Sequence, residues 1–435
     1  MNKNFPDKLN IILFISALFL SLIIKFNPPI WTGFGDPYDY LHQSQESFSS
    51  KNLYLPEKQA QFYPRPFTVP LFYKIAGSDP ETIIQMQKFM HAFSTFFLCY
   101  ALLLFFKKNH VKIIFICLWY LLMSWWNILG WTHTLLSESL SMSFMFIWIA
   151  SFLVFINFKS LFTIIAHILI TILFSFTRDS WPYILIIFYL LYFIISIKWD
   201  RKILAGILSF LILSIGLFIV QQKSAETSQR YRLPITNNIV FRIMPNESYL
   251  KWFIDKGMPC KDSLIKNYSN LNDFKNIYPL YIDTSYSKLF KWVVNDGKKI
   301  YTKFLITHPS NFLLIHEKPK EIKRIFAYNI GYTGEIRGIS LITDKIFPIF
   351  NLLIIITLNI FLVFLFFKEK ILIWILPSVI ITVFTFNAIL LYLADTLEVE
   401  RHLFITNIII QFTGILLVSF ILDSNLIKRK LFRRL

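Results

Sequence analysis

Long apolar runs recur along this chain and are separated by short polar segments. The runs reach or approach the roughly 20 residues that a helix needs to cross the hydrocarbon core of a bilayer. A helix satisfies its own backbone hydrogen bonds in lipid, so the pattern predicts an all-α polytopic membrane protein with about ten transmembrane helices. The ten runs are Leu9–Phe26, Phe89–Phe106, Ile113–Leu129, Leu140–Ile156, Leu161–Phe176, Pro182–Ile197, Ile203–Val220, Ile346–Phe367, Ile371–Leu393 and Leu403–Leu422.

Lys and Arg are unevenly distributed among the segments between the runs. If the N-terminus is cytoplasmic, the short outer loops hold only Arg178 and Arg401, and every inner segment is basic. Cytoplasmic loops of membrane proteins carry such an excess of positive charge. Abundant Phe, Ile, Lys and Asn is also typical of an AT-rich bacterial gene. The chain is therefore predicted to be a multi-pass protein of a bacterial inner membrane, with both termini cytoplasmic.

Two long segments then fall on the outer face and divide the chain. They cover residues 27–88 and 221–345, and the second is predicted to be a small, mostly helical periplasmic domain. We expect an N-terminal transmembrane module of about seven spans at 1–220 and a C-terminal module of about three at 346–435. In the first outer loop, Asp79-Pro80 predicts a helix start, because Asp caps helices and Pro favours the first turn.

The composition agrees with a membrane protein and excludes some functions. Hydrophobic residues make up 55% of the chain, charged residues 16%, and the mean hydropathy is +0.54. The formal charge of +18 would suggest a nucleic-acid partner in a soluble protein. Here the positive-inside rule and anionic lipids explain it, and no nucleic-acid-binding motif is present. The predicted partner is the lipid bilayer, with no nucleic acid.

Ionisable residues gather in the outer loops, at the predicted membrane–water boundary. Groups at this depth that face a bundle interior tend to mark substrate or ion pathways. A carboxylate can act as a general base toward a hydroxyl, and Arg or His can stabilise a phosphate leaving group. The residues concerned are Asp36, Asp39, Arg65, Glu138, Arg178, Asp179, Glu398, Glu400, Arg401 and His402.

Several of these residues also have a purely structural explanation. Asp36 lies in Gly35-Asp36-Pro37, which is ordinary turn chemistry. Glu138 could merely complement the positive end of a helix dipole. Arg178 and Asp179 are neighbours and could form a local ion pair at the interface.

Arg401 and His402 open the last apolar run and are harder to explain structurally. Cations at a helix start oppose the helix dipole, so a bound anion would account for Arg401. The structural alternative is a buried ion pair between Arg401 and Glu398 or Asp395. Both readings stay open on the sequence alone.

The order and placement of the outer motifs resemble those of a known superfamily. The motifs are Gly35-Asp36-Pro37-Tyr38-Asp39-Tyr40, Tyr63-Pro64-Arg65-Pro66, Leu136-Ser137-Glu138-Ser139 and Thr177-Arg178-Asp179. Over roughly its first half the chain resembles the GT-C superfamily of membrane glycosyltransferases, in particular the bacterial relatives of protein mannosyltransferases and of aminoarabinose transferases. The acidic pair departs from the adjacent acids or Asp-x-Asp of that superfamily. A divalent metal ion at Asp36 and Asp39 therefore stays open as a cofactor.

The resemblance implies an inverting glycosyltransferase acting on the outer face of the membrane. Such an enzyme would take a sugar from a polyprenyl-phosphate donor and pass it to a glycan, lipid or protein acceptor. Asp36 or Asp39 would be catalytic, and the donor phosphate would bind to Arg178, Arg401 and His402. The residues in supporting roles would be Arg65, Glu138, Asp179, Glu398 and Glu400.

Other functions are kept as alternatives. An O-antigen polymerase or ligase would take a diphosphate-linked glycan and rely on Arg and His of the large late loop. A transporter or flippase of envelope lipids would carry charges near span centres and broken helices in paired halves. A non-enzymatic scaffold would tolerate substitution of the outer carboxylates.

Overall fold

The computed structural model describes residues 8–24, 36–56, 64–196, 200–259, 287–308, 356, 359–360, 375–394 and 399–423. Within these ranges the regular structure is helical, and no strand occurs. The long helices are α1 (Lys8–Ile24), α5 (Pro80–Leu103), α6 (Asn109–Met123), α8 (Ser137–Phe158), α9 (Leu161–Ser175), α10 (Trp181–Ser196), α11 (Arg201–Thr227), α16 (Leu376–Ala394) and α17 (Val399–Asp423). The short helices are α2 (Asp36–Ser44), α3 (Lys51–Tyr54), α4 (Thr68–Ile75), α7 (Trp126–Leu129), α12 (Arg232–Asn238), α13 (Glu247–Asp255), α14 (Ser287–Trp292) and α15 (Lys298–Thr307).

Four of the described helices are long and apolar enough to cross a membrane. They are α8, α11, α16 and the Arg401–Asp423 part of α17. A fifth would be α6 together with Trp126–His133, which follow each other at an angle of 62° as a broken span. Length and composition therefore identify a helical membrane protein with four or five helices of spanning size.

The other predicted spans correspond to shorter apolar helices or to α5, or they lie outside the described residues. Shorter apolar helices occupy Asn10–Leu22, Leu161–Ser175 and Trp181–Ser196. The run predicted at Phe89–Phe106 falls mostly in α5, which begins earlier, at Pro80. Most of the run predicted at 346–367 lies outside the described residues.

Helix α8 lies at the centre of the bundle. Of its most apolar 18-residue window, 94% is buried, against 33% for α11. It packs against α5 and α9, and its Trp148 and Phe152 are fully enclosed. Helix α11 instead leaves Ile212 and Ile219 exposed. In a bilayer, an enclosed apolar helix contacts protein, whereas an exposed apolar face contacts lipid.

The lysine-rich ends of the helices meet at one end of the bundle. The Asp423 carboxylate accepts hydrogen bonds from the backbone N–H groups of Lys107 and Lys108, at 3.0 and 2.8 Å. Lys159, at the end of α8, pairs with Asp200 at the start of α11, at 2.5 Å. This is the end that the positive-inside rule assigns to the cytoplasm. The candidate site described below lies at the opposite ends of α8 and α17.

The start of α5 confirms the prediction made from Asp79-Pro80. The Asp79 side chain accepts a hydrogen bond from the backbone N–H of Thr82 at 2.8 Å, and Pro80 occupies the first turn. The cap satisfies one of the donors that a helix leaves unpaired at its N-terminus. The first outer loop is thereby anchored to the bundle at a defined residue.

A second hydrophobic core lies among α12–α15, within the segment predicted to be periplasmic. Its centre includes Val240, Phe253 and Val293. We call this unit the outer domain, after its predicted topology. Two hydrogen bonds attach it to the end of α16, from Asn238 Nδ2 to the carbonyl of Ala394 at 2.7 Å and from Tyr301 Oη to that of Leu393 at 2.8 Å. The last carbonyls of a helix lack internal partners. The outer domain donates hydrogen bonds to two of these carbonyls.

Candidate functional site

Five separate parts of the chain bring charged side chains together at the end of the bundle opposite the lysine-rich end. They are the first turn of α2, the segment before α4, the first turn of α8, the turn between α9 and α10, and the first turn of α17. Hydrogen bonds and ion pairs connect the side chains into one group. We call this group the ionic cluster, and its members are Asp36, Asp39, Arg65, Glu138, Arg178, Arg401 and His402.

One half of the ionic cluster is built on the two aspartates of α2. Asp36 and Asp39 are three residues apart, so both lie on the same face of the helix. Arg65 Nη2 donates to Asp36 Oδ1 at 2.6 Å and to Asp39 Oδ2 at 2.8 Å. The backbone of Arg65 is held by the side chain of Gln43, at 2.8 and 3.0 Å. The first outer loop thus folds back on α2 through one arginine.

The other half joins α2 to α8, α17 and the α9–α10 turn. Arg401 Nη2 donates to Asp36 Oδ2 at 2.5 Å, and Arg401 Nε donates to Glu138 Oε1 at 2.8 Å. Arg178 Nη2 lies 3.5 Å from the same Glu138 oxygen and 2.9 Å from His402 Nδ1. The planar fork of a guanidinium suits such bridging between separate acceptors.

The charges within the ionic cluster balance. Three carboxylates face three guanidiniums, and His402 is neutral at Nδ1 if that atom accepts from Arg178. Side-chain exposure falls from 28% for Asp36 to 7% for Arg401 and 0% for Glu138. Burial raises the pKa of Asp36, but Arg65 and Arg401 lower it by more, so the pKa lies below its ordinary value. Asp36 is therefore ionised at neutral pH.

Arg178 differs from the other two guanidiniums in how it is used. Among the described residues, its Nη2 contacts His402 and, at a longer distance, Glu138, whereas its Nε and Nη1 donate to no described group. The side chain is 11% exposed. Arg401, in contrast, is fixed between two carboxylates. Arg178 is therefore the better placed of the two to bind an additional anion.

Glu138 also has an oxygen atom that accepts no hydrogen bond within the described part of the chain. Its Oε1 receives Arg401, but its Oε2 is buried and has no hydrogen-bond partner there. The hydroxyl of Tyr73 on α4 is likewise buried and has no hydrogen-bond partner there. Buried polar atoms are nearly always paired with protein, water or ligand. Both atoms can therefore take a hydroxyl group or a water molecule.

The structure does not support a local ion pair between Arg178 and Asp179. Asp179 binds Arg230 at 2.7 Å and accepts from Gln221 at 2.6 Å, and neither partner belongs to the ionic cluster. Of the predicted site residues with described side chains, Asp179 is the one outside the cluster. Sequence reasoning missed Arg230 and Gln43, because neither stands in a motif that marks it.

Within the described chain, Arg401 has two buried ion-pair partners. Its observed partners are Asp36 and Glu138, which come from distant parts of the sequence. Glu398 and Asp395, the suggested partners, lie outside the described residues, as does the side chain of Glu400. The roles predicted for Glu398 and Glu400 are therefore not placed by the structure.

The described donor set does not fit a resident divalent metal ion. No group of three or more His, Cys, Asp or Glu side chains that could hold a metal occurs in the described part of the chain. Arg65 hydrogen-bonds both Asp36 and Asp39, so its positive charge takes the position that a cation would need. The chemistry proposed below therefore uses only the side chains of the protein.

Comparison of the chain with models of known protein families and with curated proteins finds no match.

Proposed function

We propose that this protein is an inverting glycosyltransferase that moves a sugar from a polyprenyl-phosphate donor to a glycan, lipid or protein acceptor. The observation that supports it is the ionic cluster, in which five chain segments bring carboxylates and guanidiniums to one end of an apolar helical bundle. A phosphate anchored in lipid reaches the protein at this depth, and charged groups there tend to mark substrate pathways.

The proposed topology places this reaction outside the cytoplasm. We infer about ten spans, both termini in the cytoplasm and a location in a bacterial inner membrane. Lys107, Lys108 and Lys159 lie at the opposite end of the bundle, and their positive charges support this orientation. The outer domain then stands on the same side as the ionic cluster, where it can help to select the acceptor.

The donor phosphate is assigned to Arg178, with Arg401 and His402 beside it. Arg178 has N–H groups that no described residue uses, and the neutral His402 holds its guanidinium in place. When the bond between sugar and phosphate breaks, the leaving oxygen gains negative charge. A preorganised guanidinium stabilises that charge most strongly in a water-poor site. Arg401 assists by orienting Asp36 and Glu138.

The acceptor hydroxyl is assigned to the carboxylates of α2. Asp36 or Asp39 takes the proton of the hydroxyl while its oxygen attacks the anomeric carbon from the face opposite the phosphate. The bond to the phosphate oxygen breaks, and the phosphate leaves with the electron pair. Asp36 is the more exposed of the two aspartates, so it is the first choice for the base. Its low pKa makes it a weak base while both guanidiniums remain in place.

The proposal is tested by measuring sugar transfer from a panel of polyprenyl-phosphate sugars with purified protein. Asp36→Asn is expected to lower kcat roughly 10²–10⁴-fold if Asp36 is the base. Arg178→Met is expected to lower it roughly 10²–10³-fold through loss of the phosphate contact. Asp39→Asn decides between the two aspartates.

Asp200→Asn is the matched control, because Asp200 forms an ion pair with Lys159 at the opposite end of the bundle. It should transfer sugar at the native rate. If the native protein transfers no sugar from any donor, and the variants of the ionic cluster restore growth of a deletion strain normally, the glycosyltransferase proposal is wrong.

One observation favours lipid transport as a second candidate. Helix α6 and the following Trp126–His133 form a broken pair at 62°, and broken helices are common in transporters. The described chain does not show a second such pair in a matching half of the molecule. Translocation of a fluorescent polyprenyl phosphate by the protein in vesicles, without sugar transfer, would support this candidate over the first.

A further inference from the structure

Arg230 makes an unusually complete set of contacts beside the ionic cluster. Its Nε and Nη2 donate to the Asp179 carboxylate at 2.8 and 2.7 Å, so the pair is bidentate. Its Nη1 donates to Ser228 Oγ at 2.9 Å and to the side chain and carbonyl of Ser224, both at 3.1 Å. Gln221 Nε2 adds a further bond to Asp179. Every nitrogen of this guanidinium is engaged.

The backbone before Arg230 is bent into a costly conformation. Gln229 has φ +53°, in the left-handed region that non-glycine residues rarely adopt. It stands between the end of α11 and the start of α12, so the bend determines where Arg230 points. Strain of this kind persists only where surrounding contacts maintain it, and it concentrates at functional positions. Here those contacts are the bonds of Arg230.

The partner of Arg230 belongs to the same short turn as Arg178. The α9–α10 turn is held on one side by Thr68, whose hydroxyl donates to the carbonyl of Leu173 at 2.8 Å and whose N–H donates to that of Phe176 at 3.2 Å. On the other side Arg230 holds Asp179. Arg178 therefore projects into the ionic cluster from a turn that is fixed at both ends.

We propose that Arg230 is a positioning residue, which sets the place of Arg178 in the ionic cluster and connects it to the outer domain that begins with α12. This inference rests on the proposed function for its catalytic consequence. The path runs from α12 through Arg230 and Asp179 to Arg178. A shift of the outer domain when an acceptor binds would thereby reach the group that holds the donor phosphate.

The test compares Arg230→Met with Lys298→Met. Lys298 also joins the outer domain to α11, through an exposed pair with Glu226 at 3.1 Å, and it is the matched control. Arg230→Met should raise the Kd for polyprenyl phosphate and the KM for the sugar donor roughly 10–100-fold, because small misplacements of a binding group have effects of this size. Lys298→Met should leave both values at the native level.

Conservative substitution separates positioning from general stability. Arg230→Lys should recover part of the affinity, since an ammonium keeps the charge but not the bidentate geometry. If Arg230→Met lowers the unfolding temperature while the Kd for polyprenyl phosphate stays at the native value, Arg230 has only a structural role and the inference is wrong.

Hydrogen exchange tests the inference even if the proposed function fails. The backbone amides of residues 176–181 should exchange faster in Arg230→Met than in Lys298→Met, because only the first substitution releases the α9–α10 turn. Unchanged exchange in this segment would overturn the inference. Faster exchange with no binding of polyprenyl phosphate by the native protein would keep the positioning role and remove the glycosyltransferase proposal.

Discussion

Arg401 shows at the scale of a single residue why the ionic cluster is built on arginine. Two different nitrogens of its guanidinium reach Asp36 on α2 and Glu138 on α8. A lysine ammonium is a single charged point on a flexible stem and lacks this fork. Because Glu138 is fully buried, the loss of this partner would leave a poorly compensated charge in the protein interior.

We therefore expect Arg401→Lys to lower the free energy of unfolding by roughly 1.5–3 kcal/mol, the size of a lost hydrogen bond to a charged group. Denaturant titration of the protein in detergent measures this change. The control is Lys159→Arg, at the exposed pair with Asp200, which should change stability little. Equal effects of the two substitutions would contradict the bridging role of Arg401.

The lowered pKa of Asp36 predicts how the stability of the protein depends on pH. This pKa is lower in the folded protein than in the unfolded chain, so the folded state favours the ionised form. The resulting stabilisation is complete above the unfolded pKa of about 3.9 and is lost as the pH falls from there toward the folded pKa. Unfolding temperatures measured from pH 7 down to pH 3 should fall more steeply for the native protein than for Asp36→Asn. Parallel curves would show that the carboxylate is not stabilised in this way.

Helices α8, α9 and α10 are joined at the scale of elements by a buried polar network. Tyr189 Oη accepts from Trp148 Nε1 at 2.7 Å and bonds His167 Nε2 at 2.7 Å. The other ring nitrogen of His167 bonds Ser151 at 2.7 Å. In a low-dielectric interior, leaving such groups unpaired costs free energy. The network therefore specifies how these three helices pack.

Tyr189→Phe should lower the free energy of unfolding by about 1–3 kcal/mol, because it leaves the buried N–H of Trp148 unpaired. Tyr192→Phe is a close control on the same helix, since the Tyr192 hydroxyl is buried and has no hydrogen-bond partner in the described chain. That substitution should be neutral or stabilising. A larger loss for Tyr192→Phe than for Tyr189→Phe would contradict the network.

Two glycines of α11 differ in the space around them and test how α11 packs on α8. A Cβ at Gly206 would overlap the ring of Phe155, a fully buried residue of α8, whereas a Cβ at Gly216 would meet nothing within 4 Å. Gly206→Ala should destabilise by about 1–3 kcal/mol through overpacking. Gly216→Ala should stabilise by up to about 1 kcal/mol through helix propensity. Unfolding curves that reverse this order would contradict the packing of α11 on α8.

At the scale of the whole molecule, the lysine-rich end and the ionic cluster lie at opposite ends of the bundle. The proposed topology predicts which positions are accessible from outside the cell. In a background without native cysteines, Lys256→Cys in the outer domain should react with a membrane-impermeant maleimide in intact spheroplasts. Lys202→Cys, exposed at the other end, should react only after permeabilisation. The opposite result would show the reverse orientation in the membrane, with the ionic cluster on the cytoplasmic side.

The pattern of the sequence predicted the helical fold and the start of α5, and the common depth of the site residues at the membrane edge stays a prediction. These properties depend on local composition, since transfer of a segment into lipid and the position of a charge at its edge are determined by nearby residues. For the same reason the sequence alone identifies Asp36, Asp39, Glu138, Arg178 and Arg401 as candidates. The number of spans stays a prediction.

Only the tertiary structure decided which of these residues pair with each other. Arg178 does not pair with its neighbour Asp179 but contacts Glu138 and His402, and Asp179 pairs with Arg230. Residues placed at one depth by composition can combine in many ways. The choice depends on how the helices pack, because a buried charge is stable only where packing brings an opposite charge within hydrogen-bonding distance.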